Sequence, residues 1–585
     1  MRKIKPSDKI ARFMLVLSYL WLVSTPLRAA ASSDDPGCHS CLQSASGLFA
    51  RGDNEGAAKL LSQWQTKCPN NLQLCLMLNT VLMRMPNNKE KALAAAEQAC
   101  SIAPGSMLAH FQKAMTLMTM QQGPAAAKEF QRVVALDPTS YESWLALSEL
   151  LAAQGDSNGA REAQEHAAQL SPSARQSTLS TLTSKDRAGN IQGLKQEVAK
   201  IVESPATSPE SLLIVGEEVF RMGYFEEAAL ALGQAKGKYP EAPQVKSLLP
   251  CALLEAGKIA ESAKMLLPGK GTTTGAAQQA LSGMGALAAG DFDSGQKQIE
   301  ATSAAGDNQG ITALAQGYLA MCSGRYKEAI EKFSDSLSKN QSLTVAKIYI
   351  AQANLELGDW KEAIAQAKES QRKASGLKIR AMAIELAARV RDSEDSGTNM
   401  ATLKSELTTS QSRLSAKDQA LAEVALGELA VKDQDPGRAT ELFNSALGHM
   451  AGSAAARIGL GRVALLQGDS KSAVAQLDQG LAMAPGNIDG LSLKAQALVE
   501  SGDIAGGDAL LVKAASEGEL PSATCLGLGK AYQKAGQNKP AALYFKQAIQ
   551  VGLNSSALEQ AKAALKSLAE AISAGNSAVD SKTSK

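Results

Sequence analysis

The segment Gly317-Tyr-Leu-Ala-Met-Cys-Ser-Gly324-Arg-Tyr326-Lys-Glu-Ala329-Ile-Glu-Lys-Phe333 decides the fold of this chain. A small residue, Gly317, stands seven positions before Gly324, and a second one, Ala329, stands five positions after it. The bulky Phe333 stands nine positions after the same glycine. Two helices that meet at a left-handed turn need small residues where they cross and a bulky residue between pairs. The segment therefore predicts a helix–turn–helix unit.

The same spacing recurs along the chain with a period near 34 residues. The turn positions are Gly52, Asn87, Gln121, Gly155, Gly189, Gly223, Gly257, Gly290, Gly324, Gly358, Gln434, Gly468, Gly502 and Gly536. A fixed period of this length means that one unit is repeated, and that each unit buries its apolar face on its neighbours. Because such contacts join nearest neighbours, we expect the substitution Gly324→Pro to disturb mainly the adjacent units.

The repeated unit resembles the tetratricopeptide repeat. A second good copy is the segment 141–151, Tyr-Glu-Ser-Trp-Leu-Ala-Leu-Ser-Glu-Leu-Leu, which is followed by Gly155, Ala160 and Pro172. The resemblance implies an all-α fold, a right-handed superhelical solenoid of about 15 TPR-like helix–turn–helix repeats. It also implies a scaffold that binds proteins or peptides in a concave groove lined by the first helix of each repeat.

The repeat and the composition divide the chain into six segments. We predict a signal peptide at 1–31, a repeat block at 32–391, an insertion with a degenerate repeat at 392–419, a second repeat block at 420–553, a C-terminal capping helix at 554–574 and a disordered tail at 575–585. The polar insertion is either a hinge between two blocks or a longer loop within one continuous superhelix.

The first 31 residues have the pattern of an export signal. A basic start precedes the apolar run from Phe13 to Val23, and Ala29-Ala30-Ala31 offers a cleavage site before Ser32. The alternative is an uncleaved membrane anchor, although this run is shorter than the ~20 residues that a membrane-spanning helix needs. We therefore expect an exported protein, periplasmic or extracellular, that is held at a membrane only if the signal stays uncleaved.

Composition and motif content exclude several classes of function. Segment 1–31 carries a charge of +5 and the whole chain +2, so the remainder carries 2 − 5 = −3, which is not the basic footprint of a nucleic-acid binder. The repeats leave no stretch long enough for a catalytic domain. The four histidines are scattered over separate units. We therefore predict no enzyme activity, no cofactor and no metal.

Five of the eight cysteines lie near the start of the predicted repeats, namely Cys38, Cys41, Cys68, Cys75 and Cys100. In an antiparallel helix pair the start of the first helix lies beside the end of the second. We therefore expect Cys38 or Cys41 near Cys68, and Cys75 near Cys100. Export makes disulfides plausible, while free thiols or a metal or redox site stay open as alternatives.

The phase of the repeat predicts which side chains face the groove. These candidate peptide-binding residues are Met77, Val81, Phe111, Met115, Met118, Leu314, Tyr318 and Met321. Methionine is flexible and polarizable, which suits an adaptable groove. The alternative is that these residues pack between adjacent first helices.

Three functions are consistent with the sequence. The first is an exported scaffold that binds proteins or peptides. The second is an accessory subunit of cell-envelope biogenesis, in polysaccharide or outer-membrane assembly, and it rests on analogy with exported proteins of the same family. The third is a thiol oxidoreductase that uses Cys38 and Cys41, whose two-residue spacing is shared by redox motifs.

Overall fold

The computed structural model describes residues 36–85, 87–205, 207–266, 275–302, 310–391, 400–410, 414–517, 520, 522–551 and 557–570. The predicted signal peptide and tail lie outside the described residues, as does the polar stretch 392–399. The described part of the chain contains no β-strand. Within that part, no helix is long and apolar enough to cross a membrane.

Thirty α-helices alternate as the first and second helices of fifteen antiparallel pairs, and a further helix, α31, covers 557–570. They are α1 Pro36–Ala50, α2 Asn54–Gln65, α3 Leu72–Met83, α4 Lys89–Ile102, α5 Met107–Thr119, α6 Gly123–Leu136, α7 Tyr141–Gln154, α8 Ser157–Leu170, α9 Pro172–Arg187, α10 Ile191–Glu203, α11 Pro209–Arg221, α12 Phe225–Ala235, α13 Leu249–Glu255, α14 Ile259–Leu266, α15 Ala276–Ala288, α16 Phe292–Glu300, α17 Ile311–Cys322, α18 Tyr326–Lys339, α19 Val345–Leu357, α20 Trp360–Lys373, α21 Lys378–Arg391, α22 Met400–Ser410, α23 Ala416–Lys432, α24 Pro436–His449, α25 Ala454–Leu466, α26 Ser470–Met483, α27 Ile488–Glu500, α28 Ile504–Glu517, α29 Ser522–Lys534 and α30 Asn538–Val551. The predicted all-α solenoid of paired helices is confirmed.

In fourteen of the pairs, the turn between the two helices has the backbone that the sequence predicts. All fourteen turn positions named above adopt a positive φ, including the three that are not glycine, Asn87, Gln121 and Gln434. An aspartate follows seven of these turns and caps the second helix. Asp156, for example, accepts the backbone N–H of Gly159 at 3.0 Å. The left-handed residue ends one helix and the aspartate starts the next, because its side chain satisfies an N–H that lacks a helical partner.

A bulky side chain holds many of the pairs together. The ring of Phe443 is fully buried between Gly427 of its own pair and Gly459 of the next first helix. A Cβ atom on Gly427 would lie 2.7 Å from that ring. Glycine at the crossing therefore lets the ring seat against the backbone of the first helix, and truncating such a ring to alanine costs roughly 3–5 kcal/mol.

Packing runs without a break past the polar insertion. The helix α22 lies inside the predicted insertion, and its Leu403 and Leu407 join one hydrophobic cluster with Leu386 before it and Leu426 after it. At the C-terminus, α31 buries Ala561 and Leu568 in the cluster that contains Phe545. One hydrophobic cluster therefore spans the insertion, and α31 covers a second cluster at the C-terminal end of the solenoid.

The hydrophobic core is divided near the N-terminus. The buried apolar residues of α1–α8, which we call the arm, form clusters confined to residues 38–163. A separate and larger cluster extends from Leu182 to Leu568. Between them lies α9, a helix of 16 residues in which Leu182 is the one buried side chain. We call the helices α11–α30 the closed block.

Candidate protein-interaction surface

The predicted groove residues of the arm are mostly buried. Met77, Met115 and Met118 are 7–8% exposed, and Val81 is inaccessible. They pack against neighbouring helices, because α3 is covered along nearly its whole length. The contiguous exposed methionine patch that a peptide groove would need is therefore not present, and packing between first helices accounts for these side chains. Binding at them stays a prediction.

Phe111 is the exception among the predicted arm residues. Its side chain is half-buried and meets the ring of Phe130 edge-to-face, with ring centroids 5.9 Å apart. Leu145, 34 positions later, occupies the same place in α7 and is also half-buried. The first helices of the arm thus leave two partly exposed apolar side chains on neighbouring units.

A charged group lies buried behind this face. The Nδ1 atom of His110 lies 2.7 Å from the carboxylate of Glu129, while Nε2 donates to the carbonyl of Pro104 at 3.0 Å. Lys113 pairs with the same carboxylate at 3.1 Å. Burial opposes ionisation of Glu129, but hydrogen bonds from His110 and Lys113 lower its pKa. The carboxylate therefore fixes the ring of His110 and ties α5 to α6.

The structure places Cys38 and Cys68 as a disulfide pair, with Cα atoms 6.6 Å apart, a separation that a disulfide can span. Cys41 is buried, and burial raises the pKa of its thiol. Cys75 and Cys100 share one small hydrophobic cluster but are not bonded to each other. Burial raises the pKa of both thiols to about 11, which makes them poor nucleophiles.

The predicted groove residues of the middle units lie inside the molecule. Leu314 is inaccessible, and Tyr318 and Met321 pack on the large core. The ring of Tyr318 meets that of Tyr349 with centroids 5.4 Å apart. The Nζ atom of Lys417 lies 5.9 Å from the centre of the Tyr318 ring. These positions face other first helices of the same chain rather than open solvent.

The interior of the closed block contains a buried ion cluster, which the sequence analysis missed. We call Glu255, Tyr349, Arg380, Lys417 and Asp418 the first ion cluster, and they come from four different first helices. One carboxylate oxygen of Glu255 accepts from Arg380 at 2.5 Å and from Lys417 at 2.9 Å. Its other oxygen accepts from the hydroxyl of Tyr349 at 2.6 Å. Arg380 also donates to Asp418 at 2.6 Å. Two cations meet two anions, so the cluster is electrically neutral.

A second ion cluster joins five first helices, of which α19, α21 and α23 also contribute to the first cluster. Its charged members are Glu356, Arg391, Glu428, Arg462 and Asp489. Arg391 bridges Glu356 at 3.3 Å and Glu428 at 2.7 Å, and Arg462 pairs with Asp489. Three carboxylates against two guanidinium groups leave an excess of negative charge.

The first cluster has no local sequence signal, because the partners of Glu255 lie 94–162 positions away. The ion pairs of the second cluster join residues 27–37 positions apart, which is about one repeat. The signal that exists is charged residues at first-helix positions that the repeat phase turns inward. Among the described residues, no group of three or more His, Cys, Asp or Glu could hold a metal ion.

Comparison with known proteins supports the repeat. Models of the tetratricopeptide repeat match residues 111–175, 314–377 and 430–497. The crystal structure of the APC/C hetero-tetramer Cut9-Hcn1 is 13% identical over 84% of this chain and 97% of that chain, with a TM-score of 0.39. A tetratricopeptide repeat protein from Parabacteroides merdae is 18% identical over 45% of this chain and 99% of that chain, with a TM-score of 0.23. Comparison with curated proteins found no match. The chain therefore carries tetratricopeptide repeats in an all-α solenoid, and such repeats indicate a scaffold for protein interactions.

Proposed function

We propose that the chain is an exported scaffold whose arm binds protein or peptide partners around Phe111. The carrying observation is the contrast between the two parts of the solenoid. In the closed block, first helices from distant units bind one another through ion clusters. Among the described residues, contacts between distant units begin at Asp186, beyond the arm. The first helices of the arm therefore keep a face that no later unit covers.

Two features support export. The first 31 residues carry the basic start, apolar run and small residues of a cleavable signal. The pairing of Cys38 with Cys68 suits an oxidising compartment, since disulfides persist there and are rare in the cytosol. Periplasmic or extracellular location follows from this proposal, with membrane attachment if the signal stays in place. A role in envelope assembly is one use of such a scaffold.

The thiol oxidoreductase hypothesis finds no support in this geometry. A redox motif at Cys38 and Cys41 would need those two sulfur atoms to pair with each other, whereas Cys38 is paired with Cys68. A reactive thiol also needs a lowered pKa and access to solvent, and Cys41 has neither.

The proposal is tested with the double variant Phe111→Ser, Leu145→Ser in the full chain. Partners are identified by crosslinking in the envelope fraction of the source cells and then measured with purified partner. Both side chains are partly exposed, so we expect at least a tenfold loss of affinity, as removal of apolar anchors typically causes. The matched control is Val512→Ser, Leu543→Ser, which removes apolar side chains that are 74% and 61% exposed on second helices. Equal affinity of both variants and wild type would place the contact elsewhere.

A further inference from the structure

In the closed block, the turn between the two helices of a unit lies against a loop that follows about four and a half units later in the chain. Successive coils of the superhelix are therefore in contact. The turn glycine Gly223 meets Gly376, Gly290 meets Gly452, and Gly324 meets Gly486. Between the first two of these contacts, Gly257 meets the Cβ atom of Ala416. We call this row of contacts the glycine seam.

At its three glycine pairs the seam leaves no room for a side chain on the loop residue. A Cβ atom on Gly376 would lie 2.6 Å from the carbonyl carbon of Gly223. The backbone N–H of Gly376 donates to the carbonyl of Met222 at 2.9 Å. Next to it, the hydroxyl of Thr344 donates to the carbonyl of Arg221 at 2.9 Å. Backbone therefore meets backbone across the seam and forms hydrogen bonds there.

The loop positions of the seam require glycine because another backbone lies so close, and not because of their own backbone conformation. Gly376, Gly452 and Gly486 lack the positive φ of the turn glycines, so their conformation is open to other residues. The arm has the equivalent loop position but no seam. Gly105 occupies it in one unit and has open space around it, and Thr139 occupies it in the next unit.

The inward faces of the units that the seam joins are already occupied. Arg380 and Glu255 are buried, and each hydrogen-bonds to partners from other units. Cys251, which the repeat phase also turns inward, is inaccessible on α13, the helix that ends at Glu255. A peptide could reach these faces only after the superhelical turns separate.

We propose that the glycine seam is a closure built into the fold: it holds α11–α27 shut, and their buried first-helix faces become accessible only when the seam opens. This inference goes beyond the proposed function, because it concerns units outside the arm.

Cys251 is a native reporter of the closed state. The test measures maleimide labelling of Cys251, located by mass spectrometry, in Gly376→Val and Gly452→Val, whose contacts flank the unit of Cys251. We expect labelling about tenfold faster than in wild type, because opening precedes modification of a buried thiol. The control Gly105→Val changes the equivalent loop of the arm and should label at the wild-type rate. Circular dichroism verifies that each variant keeps its helix content.

Wild-type labelling rates in folded seam variants would overturn the proposal, and so would equal acceleration by Gly105→Val. If the valine variants lose helix content, Thr344→Val decides the question, because it adds no bulk and removes one hydrogen bond across the seam. Faster labelling of Cys251 in that variant supports the closure, and an unchanged rate contradicts it. Neither readout depends on the arm or its partner, so failure of the proposed function leaves this test intact.

Discussion

Glu255 and Glu356 stand two positions before a turn glycine in their units, yet their surroundings are opposite. Burial opposes ionisation of Glu255, but Lys417, Arg380 and the hydroxyl of Tyr349 lower its pKa to about 2. Burial raises the pKa of Glu356, and repulsion from Glu428 and Asp489 adds to this against the attraction of Arg391. The same repeat position therefore holds a stabilising carboxylate in one cluster and a poorly compensated one in the other.

We predict that Glu255→Gln lowers the stability of the closed block by about 3–5 kcal/mol, the usual cost of leaving a buried charge without its partner. Arg380 and Lys417 would lose their shared anion, because the amide carries no charge. Glu356→Gln, the matched control, should change stability little, since it removes one of three carboxylates around two guanidinium groups. Urea unfolding measures both variants, and equal losses would contradict this account.

The pH dependence of stability follows from the lowered pKa of Glu255. The folded pKa of Glu255 lies below the unfolded value of roughly 4.3. Its contribution to stability is therefore complete above that value and is lost as the pH falls toward about 2. Between pH 5 and pH 3 we expect the unfolding midpoint of wild type to fall more steeply than that of Glu255→Gln. Parallel curves would show that another group controls acid unfolding.

Some residue positions could be predicted from sequence and others could not. Cys38 and Cys68 come together because both lie at predictable ends of one helix pair. The sequence left Met77 and Met115 either facing a ligand or packed between first helices, because phase gives the direction of a side chain but not the depth of its neighbours. Glu255 gave no local signal, because its partners come from remote units.

At the scale of the helical element, contacts within the closed block extend the region that a turn substitution should disturb beyond the adjacent units. Gly324 has a φ of 79° and also touches the backbone of Gly486, far along the chain. We predict that Gly324→Pro disturbs α17 and α18 and also the loop between α26 and α27. Hydrogen exchange measured along the whole chain tests this.

The control for that prediction is Gly468→Pro. Gly468 has nearly the same φ, 78°, but nothing lies within 4 Å of a Cβ atom placed there. Its exchange should rise in α25 and α26 and their neighbours alone. If exchange rises only in adjacent units in both variants, the contact with Gly486 contributes nothing to stability.

At the scale of the whole molecule, the separate cores of the arm and of the closed block predict two unfolding steps. The cross-link between Cys38 and Cys68 encloses a loop of 30 residues within the arm, and such a loop is worth roughly 3 kcal/mol. We therefore expect Cys38→Ser, Cys68→Ser to lower the melting temperature of one transition and leave the other unchanged. Calorimetry with and without reductant measures this. A single transition that moves as a whole would show that the two parts unfold together.

The overall architecture was open to prediction for a physical reason. A repeat period reports local structure, because helix, turn and adjacent packing depend on residues within two neighbouring units. The fourteen turns and the fifteen pairs follow from it. The pitch of the superhelix cannot be predicted from the period, because small rotations between units accumulate over several repeats. The contacts of Gly223 with Gly376 depend on that accumulated rotation.

The glycine seam also limits how this gene can change in length. Duplication or loss of one repeat within the arm would lengthen or shorten the solenoid and leave every remaining contact in place. Loss of one repeat between Gly324 and Gly486 would shift the partner loops by one unit and bring Leu520, which stands at the equivalent loop position, toward backbone that now admits glycine. The extra residues of the polar insertion avoid this penalty, because the turns at Gly257, Gly290 and Gly324 still meet small loop residues beyond it. The number of repeats should therefore be free to change in the arm and be fixed between Gly223 and Gly486.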